Sequence, residues 1–337
     1  MSAPTRRRVG AAGVEVGGLG FGGASLGNLY RETTDAEAAG AVQRAWDRGI
    51  RYFDTAPHYG LGLSERRLGA TLSGLPREEY VLSTKVGRLL VPNPAPTARD
   101  TEGFAVPGDL VRRWDFSREG ILASLDASLA RLGTDRIDIV YAHDPDQCSP
   151  KSAREALETL RDLQRQGVVG AVGVGTNSVE GLKELIDDGL LDVIMLAGRY
   201  SLLEQGALDT VLEPAARAGV SVVAVGVFNS GLLSTSRPRA GDKYDYGDAP
   251  QELIDRARRL AAICRAYGVE LPAAAMAFPL LHPAVVNVTV GLRTAEQVDQ
   301  NADSFAAHVP DAMWSDLVAE GLLDASAVPI EFNRKES

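Results

Sequence analysis

Gly49-Ile-Arg-Tyr-Phe-Asp-Thr-Ala-Pro-His-Tyr-Gly60 is the stretch on which the reading of this chain turns. Ile50 to Phe53 read as a short strand, entered from a helical run that ends at Gly49. Asp54 falls at the C-terminal end of that strand, and Tyr59 lies five residues on, in the loop. In a barrel of alternating strands and helices, strand C-terminal ends face the active site. An acid and a phenol there are candidates for proton transfer. Taken alone, the stretch fits equally well a half-buried loop tyrosine beside an aspartate that caps the turn.

Two further strand ends decide between these readings. Tyr80-Val-Leu-Ser-Thr-Lys-Val86 is an apolar strand with Lys85 near its C-terminal end. A surface lysine there would need an exposed edge, which a closed barrel lacks, so Lys85 is expected to face inward and be paired. Ile137-Asp-Ile-Val-Tyr-Ala-His-Asp144 is another strand, ending in His143. A lone histidine is most often structural. This one is the third polar residue, after Asp54 and Lys85, at the same end of a strand, and the coincidence favours function.

Outward from these strands the chain alternates. Further strands are expected at Leu19 to Ala24, Val168 to Val174, Asp192 to Leu196, Val220 to Val225 and Val285 to Val290. Thr34 or Asp35 caps a helix whose apolar stripe is Ala38, Ala41, Val42, Ala45 and Trp46. Ser64 caps a short helix. Helices follow at Ser117–Leu132, Ala153–Gln166, Val179–Asp188, Ala207–Ala218, Pro250–Tyr267, Pro272–Leu281 and Thr294–Ala306, with one more near Met313–Leu322. Val9 to Gly18 reads as a small β-hairpin outside the repeat. Eight strands, each followed by a helix, predict an α/β fold: a (β/α)8 TIM barrel, one domain over residues 1–337. An open doubly wound sheet would give no reason for polar residues at so many strand ends.

Two stretches break the pattern. Gly87 to Phe116 carries Pro92, Pro94, Pro96, Pro107 and Trp114 without helical or strand periodicity. Its place after the Lys85 strand reads as a mobile lid on the active-site face. Ser234 to Asp248 is also irregular and holds Tyr244 and Tyr246. The glycines of Gly18-Leu-Gly-Phe-Gly-Gly23 lack the spacing of a dinucleotide fingerprint, but Gly22 and Gly23 would let a ligand approach the backbone.

Composition bounds the function. The 337 residues are 45% hydrophobic and 24% charged, with a net charge of −10, which disfavours broad nucleic-acid or anionic-membrane binding. Cys148 and Cys264 form no metal-like cluster, and no apolar run approaches a membrane span. A cytoplasmic protein acting on a small molecule, without metal, is the expectation; its oligomeric state is left open.

With these residues in hand, the chain closely resembles the aldo-keto reductases. The matching phrases are Asp54-Thr-Ala-Pro-His-Tyr-Gly60, Ser64-Glu65 with Leu68-Gly69, Ser83-Thr-Lys85 and His143-Asp144-Pro-Asp146. Ala197-Gly-Arg-Tyr-Ser-Leu-Leu-Glu-Gln205 and Val227-Phe-Asn-Ser-Gly-Leu-Leu233 are similar to the branch of L-fucose, D-threo-aldose and D-arabinose 1-dehydrogenases and pyridoxal 4-dehydrogenase. The resemblance implies a nicotinamide cofactor, NAD(P), with Tyr59 as general acid/base, Lys85 easing phenolate formation, Asp54 holding Lys85, and His143 orienting the substrate oxygen. It implies a cofactor site of Gly22, Gly23, Thr176, Asn177, Gly226, Phe228, Asn229, Gly231, Leu232, Gly291, Arg293, Gln297 and Asn301. Gly291 and Gln297 stand where relatives that prefer NADP often carry a lysine and an arginine, so NAD is modestly favoured, with Arg293 as a counterweight. Ala197 replaces a frequent glutamine, and Val225-Gly226 replaces a frequent aromatic ring. The substrate is expected among His58, Trp114, Arg199, Phe228, Asn229, Tyr244 and Tyr246. The implied reaction is oxidation of an aldose at its anomeric carbon to a lactone. The alternatives are pyridoxal 4-dehydrogenase, a general aldehyde and ketone reductase, or a cofactor-sensing subunit that is not primarily an enzyme.

Overall fold

The computed structural model describes residues 6–245 and 247–329, so the expectation for Tyr246 lies outside the described residues. Eight strands close into a barrel in sequence order: β1 (Leu19–Gly22), β2 (Tyr52–Asp54), β3 (Val81–Val86), β4 (Ile137–His143), β5 (Val169–Thr176), β6 (Val193–Ala197), β7 (Ser221–Val225) and β8 (Val285–Gly291). Every neighbouring pair is parallel, and β8 pairs with β1 to close the ring. This is the expected (β/α)8 architecture.

Strand periodicity sorts the side chains. Phe53, Leu82, Val86, Val140 and Ala142 join the large core between strands and helices. Tyr52, Ile139, Tyr141, Ala171, Val193, Met195 and Val223 instead form a second cluster with Val9 and Val16 of the N-terminal hairpin. That hairpin pairs Arg7–Arg8 with Glu15–Val16 in antiparallel register. Arg7 donates to the Val285 carbonyl at 2.7 Å, and the Gly10 N–H to Ser221 Oγ at 2.8 Å. The hairpin thereby plugs the end of the barrel opposite the active site.

Three expectations are corrected. The stretch Gly87–Phe116 is an antiparallel ribbon, Arg88–Thr97 paired with Gly108–Trp114. Its prolines at 92, 94 and 96 sit where the register shifts between Pro92 and Thr97, in a strand paired along one edge, which tolerates missing N–H donors. The helix expected from Ser64 begins at Leu63 behind Gly62, whose φ is 81°; Ser64 lies inside it. Its Oγ donates to the Gly23 carbonyl at 2.7 Å. Within 234–248, Lys243–Tyr244 pairs with Gly247–Asp248 in a short ribbon. Among the described residues no single helix is long and apolar enough to cross a membrane.

Candidate active site

Alternation along β2, β3 and β4 brings Asp54, Lys85 and His143 together at the C-terminal mouth, stepped by two residues from strand to strand. All three are buried, with exposures of 3%, 2% and 7%. Lys85 Nζ donates to Asp54 Oδ2 at 2.6 Å, to the Thr55 carbonyl at 3.1 Å and to Tyr59 Oη at 3.0 Å. The ammonium thus spends all three of its protons, and one of them is fixed on the phenol. His143 stands edge-on to the Tyr59 ring, with centroids 6.0 Å apart.

Tyr59 is set in place by main chain. A Cβ on Gly27 would lie 2.5 Å from the Tyr59 carbonyl carbon, and one on Gly60 (φ +62°) only 2.2 Å from the Gly27 carbonyl oxygen. The loop after β1 and the loop carrying the phenol therefore meet backbone to backbone.

Burial dominates the electrostatics. It pushes the Asp54 carboxyl above its usual range, and Lys85 pulls it back. Burial alone would lower the Lys85 ammonium; Asp54 and Tyr59 more than offset this, and its pKa is raised. Burial raises the Tyr59 phenol, and Lys85 opposes that rise. His143 is held well below the usual histidine value by burial, then by the Arg88, Lys85 and Arg112 cations. His58 falls to about 2 for the same reasons. Arg88 Nη1 lies 3.3 Å from His58 Nδ1, and an arginine can only donate, so Nδ1 is an acceptor and the ring is neutral. The 3.6 Å approach of His58 Nδ1 to Glu102 is accordingly no ion pair.

The ribbon supplies a wall that the sequence reading missed. Arg88 pairs with Asp144 and lies 4.2 Å from the Trp114 ring centroid. Arg112 donates to the His58 carbonyl at 2.8 Å and forks onto Asp100. Phe104, at the ribbon's tip, packs 5.1 Å from His58 and 6.2 Å from Tyr59. The available signal was Phe104 itself, the one aromatic residue between Arg88 and Arg113.

The remaining strand ends line a cleft of about 490 Å³. Asn177, Gly226, Phe228, Asn229, Gly231, Gly291, Arg293 and Gln297 border it, as do Arg199 and Tyr244, which were expected on the substrate side. Arg199 donates to the Asn177 carbonyl at 2.6 Å, and Tyr244 to Glu204. Other expected cofactor residues lie elsewhere. Thr176 bonds Asp146 at 2.7 Å, Leu232 is core, Asn301 donates to the Gln297 carbonyl, and Gly22 and Gly23 lie close to Val290 and Asp54 main chain. Trp114 stacks on Phe116, and His58 sits beside Tyr59.

A tyrosine, a lysine and an aspartate in one hydrogen-bonded line at the mouth of a closed barrel, with a histidine edge-on to the phenol, can pass a proton to or from a substrate oxygen. The aldo/keto reductase family model matches residues 18–319. The chain belongs to the aldo/keto reductase family. It is 48% identical to a D-threo-aldose 1-dehydrogenase from Pseudomonas sp., over 93% of this chain and 96% of that one. It is 39% identical to a pyridoxal 4-dehydrogenase from Microbacterium luteolum, over 96% and 99%. The holo form of an aldo-keto reductase from Bacillus halodurans superposes with a TM-score of 0.73 at 26% identity, covering 98% of this chain and all of that one. As an aldo/keto reductase the protein is an oxidoreductase that works with a nicotinamide cofactor. The cleft fits such a group. A Cβ added at Gly198, Gly231 or Gly291 would meet nothing nearer than 4.0, 3.7 and 3.8 Å, so these glycines keep main chain open to a ligand.

Proposed function

We propose that this aldo/keto reductase oxidises an aldose at its anomeric carbon to the lactone. The 48% identity to the Pseudomonas D-threo-aldose 1-dehydrogenase, end to end on both chains, carries the substrate class. The 3.0 Å bond from Lys85 to Tyr59 carries the proton chemistry. The bound nicotinamide ring supplies the hydride acceptor. Tyr59 Oη takes the proton of the C1 hydroxyl as the carbon loses hydride. Lys85, kept charged by Asp54, stabilises the phenolate that accepts it. His143 is neutral, so it offers an N–H to the substrate oxygen without competing for the proton. His58, Phe104 and Trp114 wall the sugar's side of the phenol.

Asn177, Phe228, Asn229, Gly231, Gly291 and Gln297 would hold the cofactor. NAD is favoured over NADP because the cleft's arginine at 293 is engaged. Its guanidinium donates to the Leu29 carbonyl at 2.6 Å, to the Arg31 carbonyl at 3.0 Å and to Thr33. Three of five N–H groups are thus spent on the protein. Two free cysteines suit a cytoplasmic site of action. A panel of aldoses and pyridoxal with each oxidised cofactor tests the reading. Turnover of pyridoxal alone would move the assignment to the pyridoxal 4-dehydrogenase reaction, which the 39% identity supports.

A further inference from the structure

Below the level of Asp54, Lys85 and His143 the same three strands place a second polar layer inside the barrel: Tyr52 on β2, Ser83 on β3 and Tyr141 on β4, each fully buried. Ser83 Oγ lies 2.7 Å from Asp54 Oδ1, Tyr52 Oη 3.0 Å from Ser83 Oγ, and Tyr141 Oη 3.0 Å from Tyr52 Oη. The direction of these bonds follows from counting hydrogens. Ionised Asp54 only accepts, so Ser83 gives it its one proton. Ser83 must then accept from Tyr52, and Tyr52 from Tyr141. The whole line points one way, from the barrel floor to the carboxylate that holds Lys85.

We propose that Tyr141, Tyr52 and Ser83 form a directed hydrogen-bond column that sets the proton affinity of Tyr59 through Asp54 and Lys85. Ser83 and Tyr52 are positioning residues of the reaction, acting through Asp54. The inference rests on Tyr59 as the proton carrier. Two phenols among valine, isoleucine and methionine side chains are costly unless bonded, and phenylalanine would fill the same space. Gly20 makes room for the column, since a Cβ there would lie 2.8 Å from Tyr52 Cδ1. Each donor draws off part of the Asp54 charge, and aligned donors reinforce one another. An Asp54 stripped of this support would oppose phenolate formation more strongly at Tyr59. The other groups acting on Tyr59 are Lys85 and Asp144 from the strand ends, with the His143 and His58 rings beside it; Arg88 and Arg112 of the ribbon act on His143. Glu65 faces away, toward Thr84 and Arg131.

The test is the titration of Tyr59 in the full chain. It is followed by NMR of ζ-carbon-labelled tyrosine with the signal assigned by Tyr59→Phe, beside the pH profile of kcat for aldose oxidation. Ser83→Ala should raise both midpoints by about half to one pH unit, below the roughly one to two units of a direct hydrogen bond to a charged group, because the effect reaches Tyr59 through Asp54 and Lys85. Tyr52→Phe should raise them less and Tyr141→Phe least, with Ser83→Thr near wild type. Unchanged midpoints in folded variants, or equal shifts in all three, would overturn the column. If Ser83→Ala does not fold, the order of Tyr52→Phe over Tyr141→Phe decides. A wild-type protein that oxidises no aldose would overturn the substrate reading alone, because the NMR titration needs no sugar.

Discussion

Beneath Tyr59 the supports are buried side chains on β2, β3 and β4, locked in register by parallel pairing and sealed from water. Beside and above it they are long side chains on a two-stranded ribbon that the barrel does not enclose: Arg88, Arg112, Trp114 and the tip residue Phe104. The lower set fixes charge, because Lys85 spends its protons on Asp54, Thr55 and Tyr59 while Asp54 also accepts from Ser83. The upper set fixes shape, because its arginines reach the catalytic loop through one carbonyl, one imidazole and Asp144. The hydrogen-bonded line to Tyr59 thus sits on paired barrel strands, and the wall beside it sits on a ribbon outside the barrel sheet.

Substitutions should separate the two sets. Tyr59→Phe strikes the lower set, and kcat should fall by ~10²–10⁴-fold, the usual scale of general acid/base catalysis. Cofactor affinity, measured by fluorescence titration, should stay. Near-normal turnover would remove Tyr59 from its role. Arg112→Ala strikes the ribbon and leaves Asp100, itself buried, without its partner. Breaking such a pair costs about 3–5 kcal/mol. The loss should appear as faster proteolysis between residues 88 and 114 and a raised sugar KM, with kcat changed far less. A ribbon as resistant as wild type would show that the clamp contributes little.

Acid should loosen the site through its histidines. The pKa of His58 is lowered to about 2, and that of His143 is also well below the usual value. Between the unfolded value near 6.5 and these folded values, the unfolded chain binds protons that the native chain refuses. Stability is therefore unaffected above about pH 6.5 and falls below it, at a limiting slope of roughly 1.4 kcal/mol per pH unit for each ring. Urea midpoints at pH 7, 6 and 5 measure it, and His58→Asn should flatten the slope. Trp114→Ala should do less. Loss of a cation–π contact of about 0.5–2 kcal/mol should raise KM a few-fold and spare kcat. The smallest effect belongs to the cofactor. Gly291→Lys adds a cation at the cleft edge, and an exposed pair is worth about 0.2–1 kcal/mol. The kcat/KM ratio for NADP over NAD should rise no more than about five-fold. No change would place the adenosine phosphate elsewhere.

The lower set was legible in the sequence and the upper set was not, for physical reasons. Asp54, Lys85 and His143 are polar residues closing apolar strands, and that contrast survives without any knowledge of partners. Arg88 and Arg112 are ordinary-looking charges in a stretch whose prolines hide its pairing. Only the three-dimensional register, with Arg88 opposite Trp114 and Arg112 opposite Leu90, shows what they face. Arg199 and Tyr244 were legible as residues of the mouth, and both border the cleft with Asn177 and Gly291. Arg293 illustrates a third case. Its position by the cleft was readable, but its capture by the carbonyls of residues 29 and 31 depends on a loop more than 250 residues away in sequence.

The contact between Gly27 and Gly60 has a mechanical meaning. Ser25, Leu29, Tyr30 and Arg31 border the cleft, and Gly27 lies among them; Gly60 is the next residue after the phenol. No side chain cushions the two loops where they touch. Neither loop can shift toward the other without a backbone clash, so the wall of the cleft and the seat of the phenol share one fixed joint.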